Sequence, residues 1–312
     1  MSPPRESARP PGHDLPGPSP ELARLPLRRS RRLGAFTIHA LEAGLQRLDG
    51  GAMFGVVPKP LWEQRIPADD RNRIPLAMRC LLVETPDALV LIDTGMGNKE
   101  DAKFRDMYGL ENPGSPTRLE DAIRDAGFEP DRIDIVVDSH LHFDHAGSNC
   151  YLDDDGQVRL SFPRARYFGQ RQEFELAHSR NERIRASYLA HNFDLVHEAG
   201  RFTFLEGASE VVPGIRVLPT PGHTPGHQSV LVSSEGETAL FLADLVPTSA
   251  HLPYPWIMGY DLEPLVTLET RKALLPRARE EGWLLVFVHD PVVPWGVLDP
   301  AEQRPTLTPE GD

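Results

Sequence analysis

Four side chains of the kinds that bind metal ions occur within six residues of the segment 139–148, Ser-His-Leu-His-Phe-Asp-His-Ala-Gly-Ser. They are His140, His142, Asp144 and His145. Residues 133–138 just before the segment, Ile-Asp-Ile-Val-Val-Asp, are typical of a buried strand, and an Ala-Gly step at 146–147 indicates a turn. The cluster therefore follows the carboxyl end of a strand, which is where ligand sites of layered α/β folds lie.

The spacing within this cluster has a physical reason. In extended backbone, alternate residues face the same side, so His140 and His142 can bind one ion while Leu141 faces away. Asp144 and His145 are adjacent, and a turn of the chain at that point would direct them to a second ion nearby. The sequence therefore predicts two neighbouring metal sites.

A second pattern, Pro-Thr-Pro-Gly-His-Thr-Pro-Gly-His, occupies residues 219–227. Its paired Pro-Gly steps favour a rigid turn after the strand-like residues 215–218. We predict that His223 completes the ligand set of the first ion, and that His227 orients its neighbours. The alternative, in which both imidazoles only stabilise the turn, stays open at this point.

Two further strand-like segments end at potential ligands, the first at Asp244 and the second at His289. Either residue alone would be an ordinary cap or turn residue, so their assignment depends on the pattern as a whole. Between them, residues 262–275 are predicted to form a helix, with Asp261 as its cap and Pro276 as its stop. A further helix is expected over residues 182–189.

Composition limits the classes of partner. The 312 residues carry a net charge of −13, so neither a nucleic acid nor an anionic membrane surface is favoured. No apolar run is long enough to cross a bilayer. Cys80 and Cys150 are the two cysteines, which gives no disulfide framework and favours a cytoplasmic location.

The chain is expected to contain one large domain between two tails. Residues 1–33 are rich in Pro and Arg and are predicted to be a disordered tail. Residues 34–300 are predicted to form a single domain, and residues 301–312 a flexible C-terminal tail.

Taken together, these motifs resemble those of a known family. The pattern His140-x-His142-x-Asp144-His145, followed by His223, Asp244 and His289, resembles the motifs of the metallo-β-lactamase superfamily in order and approximate spacing. Asp93-Thr94-Gly95 resembles the first, structural motif of that superfamily. The resemblance covers roughly residues 36–298. It implies an α/β fold of the αββα sandwich type, in which two mixed β-sheets lie face to face, helices flank them, and the site lies at one edge.

Within the superfamily, the chain looks most like the branch of the N-acyl homoserine lactonases and methyl parathion hydrolase. The segments His-Phe-Asp-His and Thr-Pro-Gly-His-Thr-Pro-Gly-His-Gln-Ser are similar to the lactonase motifs. Those lactonases carry a Tyr three residues after the Asp that bridges the metals, whereas this chain has Pro247 there. The resemblance thus implies hydrolysis of a lactone or ester, and a phosphotriester remains open. A role in quorum quenching would follow from lactone hydrolysis.

The same resemblance implies a ligand set of seven residues and a mechanism. His140, His142 and His223 would hold one ion, Asp144, His145 and His289 would hold the other, and Asp244 would bridge them. Nitrogen and oxygen ligands without a thiolate suit zinc, although manganese, iron or cobalt could occupy such sites. A hydroxide shared by two divalent ions would be the nucleophile, and Asp144 could also donate a proton to the leaving group.

A small neutral ester or lactone is the expected partner, and a homodimer is an admissible assembly. Apolar side chains predicted to line the substrate pocket are Met53, Phe54, Trp62, Phe143 and Trp256. Tyr254 or Tyr260 is a candidate to replace the missing Tyr as a hydrogen-bond donor. Two other functions stay open, namely a thioesterase similar to glyoxalase II and a non-enzymatic binding protein braced by its metals.

Overall fold

The computed structural model describes residues 19–179, 181–302 and 306–310 of the chain. The first nine strands in chain order are β1 Arg28–Leu33, β2 Phe36–Asp49, β3 Arg73–Glu84, β4 Leu89–Ile92, β5 Ile135–Val137, β6 Cys150–Leu152, β7 Val158–Leu160, β8 Arg166–Gln170 and β9 Phe202–Leu205. The remaining strands are β10 Ser209–Val212, β11 Ile215–Pro219, β12 Gln228–Ser234, β13 Glu237–Phe241, β14 Leu284–Val286, β15 Trp295–Leu298 and β16 Leu307–Pro309.

Most helices of the described residues are short. They are α1 Pro20–Arg24, α2 Gly50–Phe54, α3 Lys59–Trp62, α4 Ala102–Tyr108, α5 Arg118–Asp125, α6 Arg171–Ala177, α7 Asp194–Glu198 and α8 Pro264–Glu280. In the part of the chain that the structure describes, no helix is both long and apolar enough to span a membrane.

Two seven-stranded mixed sheets form the centre of the fold. The first has the order β1-β2-β3-β4-β5-β8-β9, and the second has the order β10-β11-β12-β13-β14-β15-β16. In the first sheet β4, β5, β8 and β9 run parallel, and in the second sheet β13 and β14 do so. The other neighbours within these sheets are antiparallel.

Alternation of side chains along the strands builds the layers. In β3, Leu81 and Val83 face the cluster shared by both sheets, whereas Cys80 and Leu82 face the outer cluster that includes residues of α5. In the second sheet, the outward-facing side chains pack against α8 instead. A period of two puts alternate residues on opposite faces of a sheet, so each strand contributes to two apolar layers. The architecture is the αββα sandwich that the sequence predicts.

The predicted tails are partly wrong. Residues 28–33 form β1, which pairs with β2 from Arg28↔Leu41 to Leu33↔Phe36, and residues 20–24 form α1. Backbone hydrogen bonds to β2 and burial of Leu22 and Leu33 order this segment despite its basic composition. At the other end, β16 pairs with β15. Residues 1–18, 303–305 and 311–312 lie outside the described residues, and a single domain over residues 34–300 stays a prediction.

Two predicted helices also differ from the structure. Residues 182–187 form turns rather than a helix, and their backbone serves the loop 140–146, because Ser187 O accepts a hydrogen bond from Phe143 N. The helix α8 begins at Pro264 and continues past Pro276 to Glu280. Asp261 is not its cap, because the Asp261 carboxylate instead contacts the candidate site described next.

Candidate metal centre

The predicted ligands lie at one edge of the two sheets, where strands end. The loop after β5 carries residues 140–145, and the turn between β11 and β12 carries His223. Asp244 follows β13 and His289 follows β14, which are parallel neighbours. Since parallel strands present their carboxyl ends at the same edge, side chains distant in sequence meet there.

The first group of potential ligands contains His140, His142, His223 and Asp244, whose ligand atoms all lie within 4.8 Å of one another. His142 Nδ1 is 3.0 Å from His140 Nε2 and 3.1 Å from His223 Nε2. Asp244 Oδ2 is 3.1 Å from His223 Nε2 and 3.9 Å from His140 Nε2.

The second group contains Asp144, His145 and His289, whose ligand atoms also lie within 4.8 Å of one another. His289 Nε2 is 3.2 Å from His145 Nε2 and 3.5 Å from Asp144 Oδ2. Asp244 reaches this group with its other oxygen, because Oδ1 is 3.2 Å from His289 Nε2 and 3.5 Å from His145 Nε2. One carboxylate therefore faces both groups.

These distances fit metal ligation. With Zn–N bonds of about 2.0–2.1 Å, neighbouring nitrogens of a tetrahedral site are separated by roughly 3.3 Å, close to the spacings of 3.0–3.2 Å observed between imidazoles. Asp244 Oδ1 is buried and has no hydrogen-bond partner among the described residues. A buried carboxylate oxygen is costly unless it is satisfied, and a cation between it and the imidazoles would satisfy it.

The ring nitrogens that face away from the groups are held by hydrogen bonds. His145 Nδ1 donates to Asp93 Oδ2 at 2.8 Å, and His223 Nδ1 donates to Asp261 Oδ1 at 3.0 Å. His289 Nδ1 donates to the backbone carbonyl of Ala77 at 2.7 Å. Such partners fix the tautomer and leave the opposite nitrogen with a free lone pair, as in known metal sites.

Electrostatics favour the metal-binding protonation state at three of the ligands. Burial lowers the pKa of His140 and His142 well below the ordinary value, and the neighbouring imidazoles lower it further. Burial opposes the ionisation of Asp244, but the imidazoles around it hold the pKa of its carboxyl well below the usual range. Burial opposes the protonation of His145 and His223, but the carboxylate of Asp244 in turn raises the pKa of both imidazoles. Neutral imidazoles and an ionised carboxylate are the forms that coordinate a metal, so a bound cation would displace the protons of these two imidazoles.

His227 is not in either group, in agreement with the role predicted for it. Its Nε2 accepts a hydrogen bond from the backbone N–H of Asp244 at 3.1 Å, and its Nδ1 lies 3.0 Å from the carbonyl of Thr220. His227 thus connects the turn that carries His223 to the segment that carries Asp244.

Sequence reasoning missed two residues that contact the groups, Gln46 and Asp261. Gln46 Nε2 donates to Asp144 Oδ2, and the Gln46 side chain is completely buried in β2. A polar residue at a core position of a strand is the signal that could have identified it. Asp261 looks like a helix cap in the sequence, and only the fold brings it to His223.

A cavity of about 320 Å³ opens onto both groups. Its lining includes His142, Asp144, His223, Asp244 and His289. The other walls are mostly apolar and are formed by Leu48, Met53, Phe143, Ile184, Met258 and Leu262, with Tyr108, Tyr260, Arg183 and Ser187 as polar members.

Of the side chains predicted for this pocket, Met53 and Phe143 line it. Phe54, Trp62 and Trp256 pack in a cluster behind Met53, where Phe54 stacks on Trp62 with ring centroids 5.4 Å apart. Tyr260 lines the cavity, whereas Tyr254 packs against the cluster under α8. Sequence reasoning missed Tyr108.

Comparison with known proteins gives consistent results. The family model of the metallo-beta-lactamase superfamily matches residues 75–289. An N-acyl homoserine lactonase of Bacillus thuringiensis is 31% identical over 225 residues, which cover 69% of this chain and 82% of that protein. A probable metal-dependent hydrolase from Staphylococcus aureus has a solved structure that superposes with a TM-score of 0.81 at 29% identity, covering 90% of this chain and 99% of that one.

A further solved structure is that of an N-acyl homoserine lactone hydrolase with the product N-hexanoyl-L-homoserine at its catalytic metal centre. It superposes with a TM-score of 0.62 at 25% identity and covers 83% of this chain and 94% of that one. The fold, the family model and the relatives agree, and the chain belongs to the metallo-beta-lactamase superfamily of hydrolases.

Proposed function

We propose that the protein is a binuclear metal-dependent hydrolase of small lactones and related neutral esters. One observation carries the proposal: both ligand groups open onto a single cavity whose remaining walls are largely apolar. N-acyl homoserine lactones are the first candidates, because the B. thuringiensis relative is named for that activity and 82% of its length is covered.

In this proposal, the first group holds one divalent ion and the second group holds another, with Asp244 shared between them. Zinc suits the four nitrogen and oxygen ligands of each site, which include no thiolate, and manganese, iron or cobalt are the alternatives. Two such ions would supply Lewis acidity and would lower the pKa of bound water to about 7, so that hydroxide is available at neutral pH.

Asp144 is the proposed proton donor to the leaving group. Its carboxylate lines the cavity, and the amide of Gln46 holds one of its oxygens by donating to Oδ2. A carboxylate held in this way could take the proton released by the attacking water and could pass it to the alkoxide that leaves when a lactone ring opens. The hydrolysis rate of esters with poor leaving groups should therefore depend on Asp144 more strongly than the hydrolysis rate of activated aryl esters.

Tyr108 and Tyr260 are the proposed donors to the substrate oxygen. Pro247 stands where the similar lactonases have Tyr, and its side chain has no hydrogen-bond donor. Its backbone carbonyl accepts a hydrogen bond from His289 N at 2.9 Å. Burial, together with Tyr108, Asp49 and Asp144, raises the pKa of Tyr260 to about 12. Burial also raises the pKa of Tyr108. Both hydroxyls therefore keep their protons at neutral pH and can donate.

The cavity limits the size and polarity of the substrate. Its volume of about 320 Å³ is near the lower end of small-molecule sites. Its apolar walls suit an acyl or alkyl chain, while the polar edge of the cavity suits the ester or lactone group.

A panel of substrates tests the proposal. The zinc-loaded protein is assayed with N-acyl homoserine lactones of increasing chain length, a simple γ-lactone, an aryl ester, a small thioester and a phosphotriester. We expect the highest kcat/KM with a lactone. A higher kcat/KM for the thioester would replace the proposal with a thioesterase similar to glyoxalase II, and no turnover of any substrate by protein containing two ions would favour a metal-braced binding protein.

Other aspects stay predictions. Cys80 and Cys150 are buried free thiols, which supports a reducing compartment such as the cytoplasm. A role in quorum quenching depends on the lactone result. A homodimer can be tested by light scattering.

A further inference from the structure

A buried glutamate lies behind the first ligand group. Glu173 is the third residue of α6 and is 1% exposed. Its carboxylate accepts three hydrogen bonds, from Leu141 N at 3.1 Å, from the hydroxyl of Tyr188 at 2.7 Å, and from the hydroxyl of Thr224 at 2.6 Å. Three segments distant in sequence therefore meet at one side chain.

Each of these segments carries or contacts a ligand of the first group. Leu141 stands between His140 and His142, and Thr224 directly follows His223. The ring of Tyr188 packs edge-on against the imidazole of His142, with centroids 4.6 Å apart. Through these three hydrogen bonds, Glu173 thus holds the chain next to His140, His142 and His223, and it also holds the ring that packs on His142.

The turn that carries His223 also packs closely on α6. A Cβ added at Gly226 would lie 2.6 Å from both Cα and Cβ of Glu173, so the chain at 226 runs directly against the backbone of the helix. On its other side, the same turn is held by the hydrogen bond between His223 and Asp261. The distance between α6 and this turn consequently fixes where His223 lies.

The second group is supported by other residues. Asp93 accepts from His145, Ala77 accepts from His289, and Gln46 donates to Asp144. Among the described residues, the hydrogen bonds of the Glu173 carboxylate go to Leu141, Tyr188 and Thr224, and none goes to a ligand of the second group. Glu173 therefore supports the first group alone. The two groups share Asp244, and they also share Asp93, which accepts from the hydroxyl of Ser139, itself 3.1 Å from His140 Nδ1.

We propose that Glu173 is a positioning residue for one of the two metal sites, namely the site formed by His140, His142 and His223 with Asp244. This inference rests on the metal sites proposed above. Removing the three hydrogen bonds should weaken binding at that site by about 10- to 100-fold, the usual effect of losing an outer partner of a metal ligand. Binding at the other site should change much less.

The central variant is Glu173→Met, which keeps the length of the side chain but cannot accept the three hydrogen bonds. The matched control is Glu173→Gln, because its amide oxygen can still accept from Leu141 N and Tyr188, while its NH₂ can donate to the hydroxyl of Thr224. The reciprocal variant is Gln46→Met, which removes the donor to Asp144 and should weaken the other site.

Metal binding is measured directly. Metal-free proteins are titrated with Co²⁺ while the absorption of the bound ion is followed, and the bound zinc is counted after dialysis against buffered free Zn²⁺. The wild type and Glu173→Gln should bind two ions. Glu173→Met should bind one ion with affinity near that of the wild type and a second with 10- to 100-fold lower affinity. The double variant Glu173→Met, Gln46→Met should be weak at both sites.

Several outcomes separate the inference from the proposed function. If the wild type fails to bind two ions, the proposed binuclear function is wrong. If the wild type binds two ions and Glu173→Met does so with unchanged affinities, or loses both equally, the positioning role of Glu173 is wrong. If Glu173→Met does not fold, Tyr188→Phe and Thr224→Val are measured instead, because each removes one hydrogen-bond donor to Glu173. Each should show a smaller loss of metal affinity, confined to the same site. Unchanged affinity at both sites in both variants would overturn the inference.

Discussion

Asp244→Asn is the substitution with the largest predicted effect on the metal centre. The carboxylate of Asp244 faces both ligand groups, with Oδ2 3.1 Å from His223 Nε2 and Oδ1 3.2 Å from His289 Nε2. An amide of the same size removes the negative charge and replaces one acceptor with an NH₂ donor. One site therefore loses its ligand, and the other site keeps only a neutral amide oxygen in place of the carboxylate.

The size of the predicted loss of metal affinity follows from the number of sites affected. Losing an outer partner of a metal ligand costs about 10- to 100-fold in affinity, and losing a direct ligand should cost at least as much. Because Asp244 serves both sites, the form with two ions should be disfavoured by about 10²- to 10⁴-fold, which corresponds to about 2.7–5.4 kcal/mol at 1.36 kcal/mol per tenfold change.

The assay counts bound zinc at a series of buffered free-zinc concentrations and measures hydrolysis of a chromogenic lactone or aryl ester at each. Asp290→Asn is the matched control. Asp290 is also a buried carboxylate next to His289, but it accepts hydrogen bonds from Ser249 and from the backbone of residues 292 and 293. The control should keep two ions. Two ions bound by Asp244→Asn at wild-type affinity would refute the shared role of Asp244.

Three further predictions concern metal dependence, packing and acid stability. Dialysis against a chelator should abolish hydrolysis and added Zn²⁺ or Co²⁺ should restore it, whereas full activity of metal-free protein would contradict the account. Gly226→Ala should destabilise the folded state by about 1–3 kcal/mol and lower the melting temperature, because the added Cβ would lie 2.6 Å from Cα of Glu173. An unchanged melting temperature would contradict that close packing. Burial and Arg28 lower the pKa of His39 from 6.5 to about 4 in the folded state, so protonation favours unfolding and stability is lost as the pH falls from about 6.5 through about 4. His39→Gln should flatten the fall of the melting temperature over that interval, and an equally steep fall would count against this cause.

The ligand cluster is the part of the site that the sequence predicts best. His140, His142, Asp144 and His145 lie within six residues, so local spacing alone indicates that they act together. His223, Asp244 and His289 are far apart in the chain, and the family resemblance rather than local chemistry joins them to the cluster.

Residues that support the ligands were harder to predict. Glu173 lies in the first turn of a short helix, where an acidic residue is common at the surface, and its burial depends on three segments that are remote in sequence. Asp261 precedes a helix and has the sequence context of a cap. Both roles arise from tertiary contacts, which no local pattern encodes.

The prediction of disorder for residues 28–33 was wrong for a similar reason. Composition favours disorder for the Arg-rich residues 28–33, yet the edge of β2 offers unpaired backbone groups, and pairing with them forms β1. Pro276 does not end α8, because tertiary packing of Leu275 and Ala278 under the second sheet stabilises the turns on both sides of it.

The most direct test of the account is anomalous diffraction from crystals of the zinc-loaded protein, collected on both sides of the zinc absorption edge. The account predicts two zinc peaks, one among His140, His142 and His223 and the other among Asp144, His145 and His289, with an oxygen of Asp244 bound to each ion. A single peak, or peaks away from these side chains, would contradict it.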